Sequence, residues 1–228
     1  MKERFLNMPP VTKNLLIINT LIYLACAILP RLGNAVDEYG ALYYFTSDQF
    51  MPFQLVSYMF IHGSFMHLFF NMFTLWMFGE IIERSMGSMR FLIYYISCGL
   101  GAAFIQEGVF ALMINHYYSS IFDLGISPDD PAVRHIFGLY HSPTVGASGA
   151  IYGILLAFGF LFPQLRIYLL FPPIPMKART AVIVFAAIEL ALGIYNSQAD
   201  TVAHFAHLGG MIVGLLILLW WRRGIPRY

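Results

Sequence analysis

Six stretches of this sequence stay apolar for about the length a lipid bilayer demands, and nothing else in the chain limits its fold as much. A spanning helix needs roughly 20 mainly apolar residues. The stretches run from about Lys13 to Leu29, Phe65 to Ile82, Phe91 to Ile114, Gly146 to Pro163, Thr180 to Tyr195 and Thr201 to Trp221. Composition agrees: 59% of the 228 residues are hydrophobic and 11% charged, against about 25% charged in a soluble domain. The expected fold is an all-α integral membrane protein, a single domain over 1–228 with six transmembrane helices. A net charge of +1 points to no nucleic-acid partner. The two cysteines, Cys26 and Cys98, lie inside apolar runs and read as packing residues, with neither a disulfide framework nor a metal-binding CxxC. The first run lacks a small-residue cleavage site and reads as a retained helix.

The segments between the runs set the expected topology. A short N-terminal segment (1–12) precedes the first helix. Residues 31–63 hold Tyr43, Tyr44, Phe45, Phe50, Phe53, Tyr58 and Phe60, aromatics suited to the headgroup layer. A long polar loop is expected over 116–145, a proline-rich loop over Arg166 to Arg179, and a basic tail over 222–228. With six spans, one side carries Lys2, Arg4, Lys13, Arg84, Arg90, Arg166, Lys177, Arg179, Arg222, Arg223 and Arg227. The other keeps only Arg31 and Arg134 among seven acids, Asp37, Glu38, Asp48, Asp123, Asp129, Asp130 and Asp200. Basic residues collect on the cytoplasmic side, so both termini are expected there.

Polar side chains inside bilayer segments are costly and mark functional sites by default. Ser148 lies just inside the outer end of the fourth run and His67 just inside that of the second. His207 is expected about two turns into the sixth, so all three share the outer half of the bilayer. His67 and Asn71 are four residues apart and share a helix face, as do Ser148 and Tyr152. Gly149 and Gly153 form a small-residue ridge on one helix; Ala206, Gly210 and Gly214 form one on another. Such ridges let helix backbones approach closely, which can bring a serine hydroxyl to an imidazole. A serine hydroxyl needs an adjacent base to act as a nucleophile. Histidine can take its proton and later return it to a leaving amine. The resulting oxyanion needs donors, and the side chains of His67 and Asn71 with the Ser148 N–H are available.

These residues resemble the rhomboid family of intramembrane serine proteases over about Phe53 to Gly214. The resemblance rests on His62-Gly63-Ser64-Phe65-Met66-His67 with Asn71, on Glu83 and Gly87, on Gly146-Ala147-Ser148-Gly149, and on Ala206-His207-Leu208-Gly209-Gly210 with Gly214. It implies a six-helix rhomboid-like bundle with Ser148 as nucleophile and His207 as general base, a dyad without an acidic third member. It implies oxyanion support from His67 and Asn71, and a Tyr152 ring packed on the imidazole. Gly146, Gly149, Gly210 and Gly214 would serve packing. It implies no cofactor and no metal. The implied partners are transmembrane-protein substrates and the lipid bilayer, and the implied location is a bacterial cytoplasmic (inner) membrane. Some family members carry Trp-Arg in the first loop, where this chain has Phe53-Gln54.

Competing readings have their own signatures. A membrane zinc protease would show HExxH, which is absent. A transporter would show an inverted repeat, and none is visible. A catalytically silent rhomboid-like binder of membrane proteins would lack the serine or the base, and this chain has both. Among the other polar residues, His62 reads as structuring the start of the second span, and His204 as facing water or a neighbour. His116, His135 and His141 read as loop residues. Glu83 is expected to pair with a basic group or to cap backbone. Glu107 and Glu189 lie within spans and need partners. Asp200, about 10 Å along a helix from His207, is too far to orient it.

Overall fold

Each apolar stretch becomes a helix, and the polar segments between them fold more than hydropathy foretells. The computed structural model describes residues 7–124, 130, 133–134, 138, 140–141, 143–168, 175–195 and 203–221, with backbone alone for 116–124. The N-terminal residues 1–6, most of the expected 116–145 loop beyond 124, Asp200 and the 222–228 tail lie outside the described residues. The spanning helices are α1 (Pro10–Ile28), α4 (Phe65–Met86), α5 (Ser88–Leu124), α6 (Ser148–Leu161), α7 (Ala178–Tyr195) and α8 (His204–Trp221). Two short helices, α2 (Pro30–Gly40) and α3 (Gln54–Ser57), lie in the first connection. Five of the helices are long and apolar enough to cross a membrane, and the fourteen-residue α6 is a shorter sixth. The protein is an all-α integral membrane protein built as a six-helix bundle.

Four boundaries differ from the expectation. Pro30 does not open a loop; it stands at the first position of α2, where a missing N–H costs nothing. Helix α5 runs ten residues past Ile114, because a helix leaving the bilayer can continue without apolar residues. The proline-rich loop contains an antiparallel strand pair, β1 (Arg166–Tyr168) with β2 (Pro175–Lys177). Helix α8 starts at His204, so His207 sits in its first turn and not two turns deep. At that start the Ala206 N–H is shared between the Ala203 carbonyl at 3.0 Å and Gln106 Oε1 on α5 at 3.1 Å.

Helix α6 occupies the middle of the bundle. Nine of its residues are buried, from Gly149 to Leu161, and it packs on α5, α7, α8 and α4. Glycines set the closeness. A Cβ on Gly210 would lie 1.9 Å from the Gly149 carbonyl oxygen, and one on Gly214 would lie 2.4 Å from the Tyr94 hydroxyl. Helices α6 and α8 therefore touch backbone to backbone. Tyr94 also donates to the Gly153 carbonyl at 2.8 Å, and Tyr58 to the Gly99 carbonyl at 2.7 Å.

The first connection is folded around one side chain. Gln54, fully buried, accepts from the Tyr43 and Met51 N–H groups and donates to the carbonyls of Tyr39 and Gln49. Glu107 on α5 accepts from the Phe45 N–H at 2.8 Å, the partner that a carboxyl group within a span requires. Burial raises the Tyr43 and Tyr44 phenols above their ordinary range, with Asp37 and Glu38 adding to it for Tyr43 and Glu107 for Tyr44.

At the opposite end, Glu83 caps backbone. Its carboxyl oxygens accept from the Val11 N–H (3.0 Å), the Thr12 N–H and hydroxyl (2.7 Å each) and the Ser88 hydroxyl (2.7 Å). One buried side chain thus ties the starts of α1 and α5 to the end of α4. Gly87, with φ of 83°, makes the tight turn that brings Ser88 back to it, a conformation that favours glycine. Glu83→Ala leaves these donors without an acceptor and should lower stability by about 3 kcal/mol, read as a lower Tm of detergent-purified protein.

Candidate active site

Ser148 is the first residue of α6, so its N–H is among those a helix start leaves without an intrahelical acceptor. The chain reaches it through an extended segment. Leu42 and Thr144 exchange two backbone hydrogen bonds, at 2.8 and 3.0 Å, and the Gly146 N–H donates to the Tyr58 carbonyl at 2.9 Å. Gly146 has φ of 122°, and a Cβ there would lie 2.6 Å from the His67 ring. A side chain at 146 is therefore excluded twice, by backbone conformation and by the imidazole.

Backbone contact between α6 and α8 brings serine and histidine together. His207 Nε2 lies 2.8 Å from Ser148 Oγ, and the Tyr152 ring stacks on the imidazole at 4.2 Å with planes 7° apart. His207 is buried, Ser148 partly so. The resemblance implies a dyad without an acidic third member; in the structure Glu189 Oε2 on α7 lies 2.9 Å from His207 Nδ1. The same oxygen lies 2.6 Å from His204 Nδ1, and Glu189 Oε1 accepts from the Tyr152 hydroxyl. Of the two readings for His204, water or a neighbour, the structure shows the neighbour, the Glu189 carboxyl group. The sequence did hold a signal for Glu189, a carboxyl group inside an apolar run, but not its partner.

The second wall is the start of α4. Ser64 caps that helix by accepting from the His67 N–H at 3.1 Å. His62 packs edge-on against His67, ring centroids 5.1 Å apart. Burial pushes the His62 imidazole down to about 4, with His67 adding to the effect and the Phe60 backbone partly offsetting it. Asn71 is buried one turn below His67, and its Nδ2 has no hydrogen-bond partner among the described residues. A single cleft runs past Ser148, His67, Asn71, Tyr152 and His207 and continues between α4 and α7, lined by Phe69, Phe73 and Met77 on one side and Phe185 and Leu192 on the other.

Glu189, His204 and His207 each present one potential metal ligand, all within 4.8 Å of one another. The 2.6 and 2.9 Å separations are hydrogen-bond lengths. Neighbouring ligands of a tetrahedral zinc stand about 3.3 Å apart, so the set is spaced as a hydrogen-bond network.

The Rhomboid domain family matches residues 49–223 of this chain. The chain belongs to the rhomboid family. Among its rhomboid relatives, rhomboid protease AarA of Providencia stuartii is 32% identical over 160 residues, 70% of this chain and 52% of that protein. Rhomboid protein 1, mitochondrial, of Saccharomyces cerevisiae is 28% identical over 191 residues, 82% of this chain and 46% of that protein. Rhomboid protease GlpG of Yersinia pestis is 24% identical over 218 residues, 96% of this chain and 65% of that protein. This rhomboid chain therefore spans between about half and two thirds of the length of these relatives. Two of them are named as proteases, which at the level of the family supports intramembrane proteolysis. Mitochondrial and bacterial proteins both occur among the relatives.

Proposed function

We propose that this protein is an intramembrane serine endopeptidase that cuts membrane proteins in or near their transmembrane segments, with Ser148 as nucleophile and His207 as general base. The observation that carries the reading is the 2.8 Å contact between Ser148 Oγ and His207 Nε2, inside a cleft that opens between two apolar helices. The histidine removes the hydroxyl proton as Oγ attacks the scissile carbonyl carbon. It then gives that proton to the leaving amine, leaving an ester on Ser148 that water hydrolyses. A cleft with aromatic and aliphatic walls suits a segment delivered from lipid. We place the working unit in a single rhomboid-like membrane domain with both termini cytoplasmic, by the basic-residue asymmetry, and in a bacterial inner membrane. A cysteine introduced at Asp48 should react from the outer face only.

Reconstitution with a single-span membrane protein tests the activity. Cleavage insensitive to chelator, with a fluorophosphonate attached at Ser148 only when His207 is present, is the expected result. Capture of the substrate without cleavage would make the protein a silent binder. Loss of activity on chelation with recovery on added zinc would make it a metalloenzyme.

Asn71 supports the same reading. Interhelical hydrogen bonds in membranes average only about 0.6 kcal/mol, and the Asn71 Nδ2 makes none among the described residues. A donor that finds its acceptor only in the transition state fits that position. Asn71→Ala should lower kcat by about 10²–10³, or roughly 2.7–4 kcal/mol of transition-state stabilisation, with Tm nearly unchanged. A fall in Tm with kcat per folded molecule preserved would make Asn71 structural.

A further inference from the structure

Glu189 is a buried acid at the site for which the serine–histidine reading has no use. It sits on α7, 6% exposed, where an apolar residue would pack at no desolvation cost and a carboxyl group must be compensated. Its compensation is concentrated on one object. Oε2 meets His207 Nδ1 at 2.9 Å and His204 Nδ1 at 2.6 Å, and Oε1 meets the Tyr152 hydroxyl. Tyr152 stacks on the His207 ring, and the His204 ring stands at 88° to it. Among the described residues, every partner of the carboxyl group is thus the His207 imidazole or a ring packed against it.

We propose that Glu189 is a positioning residue, completing a Ser148–His207–Glu189 arrangement in which its carboxylate fixes the His207 tautomer and ring orientation, with His204 and Tyr152 holding the carboxylate in place. This rests on the reading of Ser148 and His207 given above. A carboxylate only accepts hydrogen bonds. Nδ1 of His207 must therefore carry the proton it donates, which leaves the Nε2 lone pair pointing at Ser148 Oγ. When Oγ attacks, its proton moves to Nε2, and the imidazolium so formed keeps its Nδ1–H on Glu189, which stays unprotonated. The Nε2 proton then goes to the leaving amine. In the second half, water gives a proton to Nε2 as it attacks the ester, and Ser148 Oγ leaves with that proton. Glu189 touches no reacting atom. It acts by holding the nitrogen that does. In an aspartate-based triad, loss of the carboxylate with geometry retained lowers kcat by about 10⁴ through the wrong tautomer.

The test is Glu189→Gln and Glu189→Asp in the full chain, reconstituted with the single-span substrate. Glu189→Gln should lower kcat about 10³-fold or more with KM within about threefold, and Glu189→Asp should recover part of the loss. Nitrogen NMR of ¹⁵N-histidine protein should show His207 protonated at Nδ1 in the wild type and a mixture of tautomers in Glu189→Gln. A merely structural role would lower Tm and leave kcat per folded molecule and the tautomer unchanged, and that result overturns the proposal. Should Glu189→Gln fail to fold, Glu189→Asp decides by the same two readouts. Failure of the underlying reading shows separately, as wild-type protein that neither cuts nor takes the phosphonate at Ser148. The His207 tautomer remains measurable in that case, and its indifference to Glu189 overturns the positioning role as well.

Discussion

Ser148→Ala should lower kcat by about 10⁵–10⁶ while leaving Tm within a few degrees of wild type. The size follows from what the hydroxyl supplies. Without Oγ there is no acyl-enzyme, and His207 loses the group 2.8 Å from its Nε2. In a serine protease, removing the nucleophile alone costs about as much as removing the whole catalytic set, roughly 2 × 10⁶ in kcat. What survives is the smaller contribution of oxyanion donors and substrate binding. Stability should hold because Ser148 is only partly buried at a helix start, and removing one oxygen from a surface-accessible position leaves no cavity. Quantitative cleavage assays on wild-type and Ser148→Ala protein in the same lipid check it. Turnover within tenfold of wild type would end the serine mechanism.

Gly210→Ala should lower both stability and activity, by a different route. The new Cβ would stand 1.9 Å from the Gly149 carbonyl oxygen and 2.7 Å from its carbon. Both atoms are backbone, so no side chain can swing aside, and α6 must part from α8. Overpacking typically costs about 1–3 kcal/mol, occasionally more. A rigid helix pair with backbone contact belongs at the upper end. The same displacement separates Ser148, beside Gly149, from His207, three residues before Gly210. A misplacement of about 1 Å in an active site can cost about 10²-fold in rate. We therefore expect a clear fall in Tm together with at least a hundredfold fall in kcat/KM. Gly108→Ala is the control, because a Cβ there meets nothing within 4 Å. A Gly210→Ala protein with wild-type Tm and rate would show that the backbone contact does not set the site.

The spans were legible because hydropathy and length are properties of contiguous residues. The alignment of Ser148, His207 and Tyr152 was legible because small-residue ridges and four-residue spacing are local too. The parts that escaped depend on how one helix is turned against another. Nothing in the spacing of α7 says that Glu189 faces α8 and not lipid; that rotation is set by contacts such as Gly159 against Val182 and Gly193 against Phe205. At the start of α8, Gln106, a hundred residues earlier in the chain, accepts from the Ala206 N–H, a contact that no local spacing shows. Glu83 could be read as a cap from its place at a helix end, but not which helices it joins. The strand pair β1–β2 was hidden by prolines, which read as loop although Pro175 sits in a two-stranded pair with no ladder to interrupt beyond its partner.

The shortness of α6 has a consequence for the supply of reactants. Fourteen residues at about 1.5 Å each make about 21 Å, some 9 Å less than a hydrocarbon core of roughly 30 Å. Hydrolysis consumes one water for every bond cut. On the topology proposed above, the far end of α6 lies at the basic side, so the missing length falls at the Ser148 end, and water must reach the serine through the cleft beside it. On that topology the cleft is a well whose depth is set by the difference between the thickness of the membrane and the length of one helix. Lipid composition enters the chemistry through that difference, since a thicker bilayer lengthens the column of water the protein must hold open.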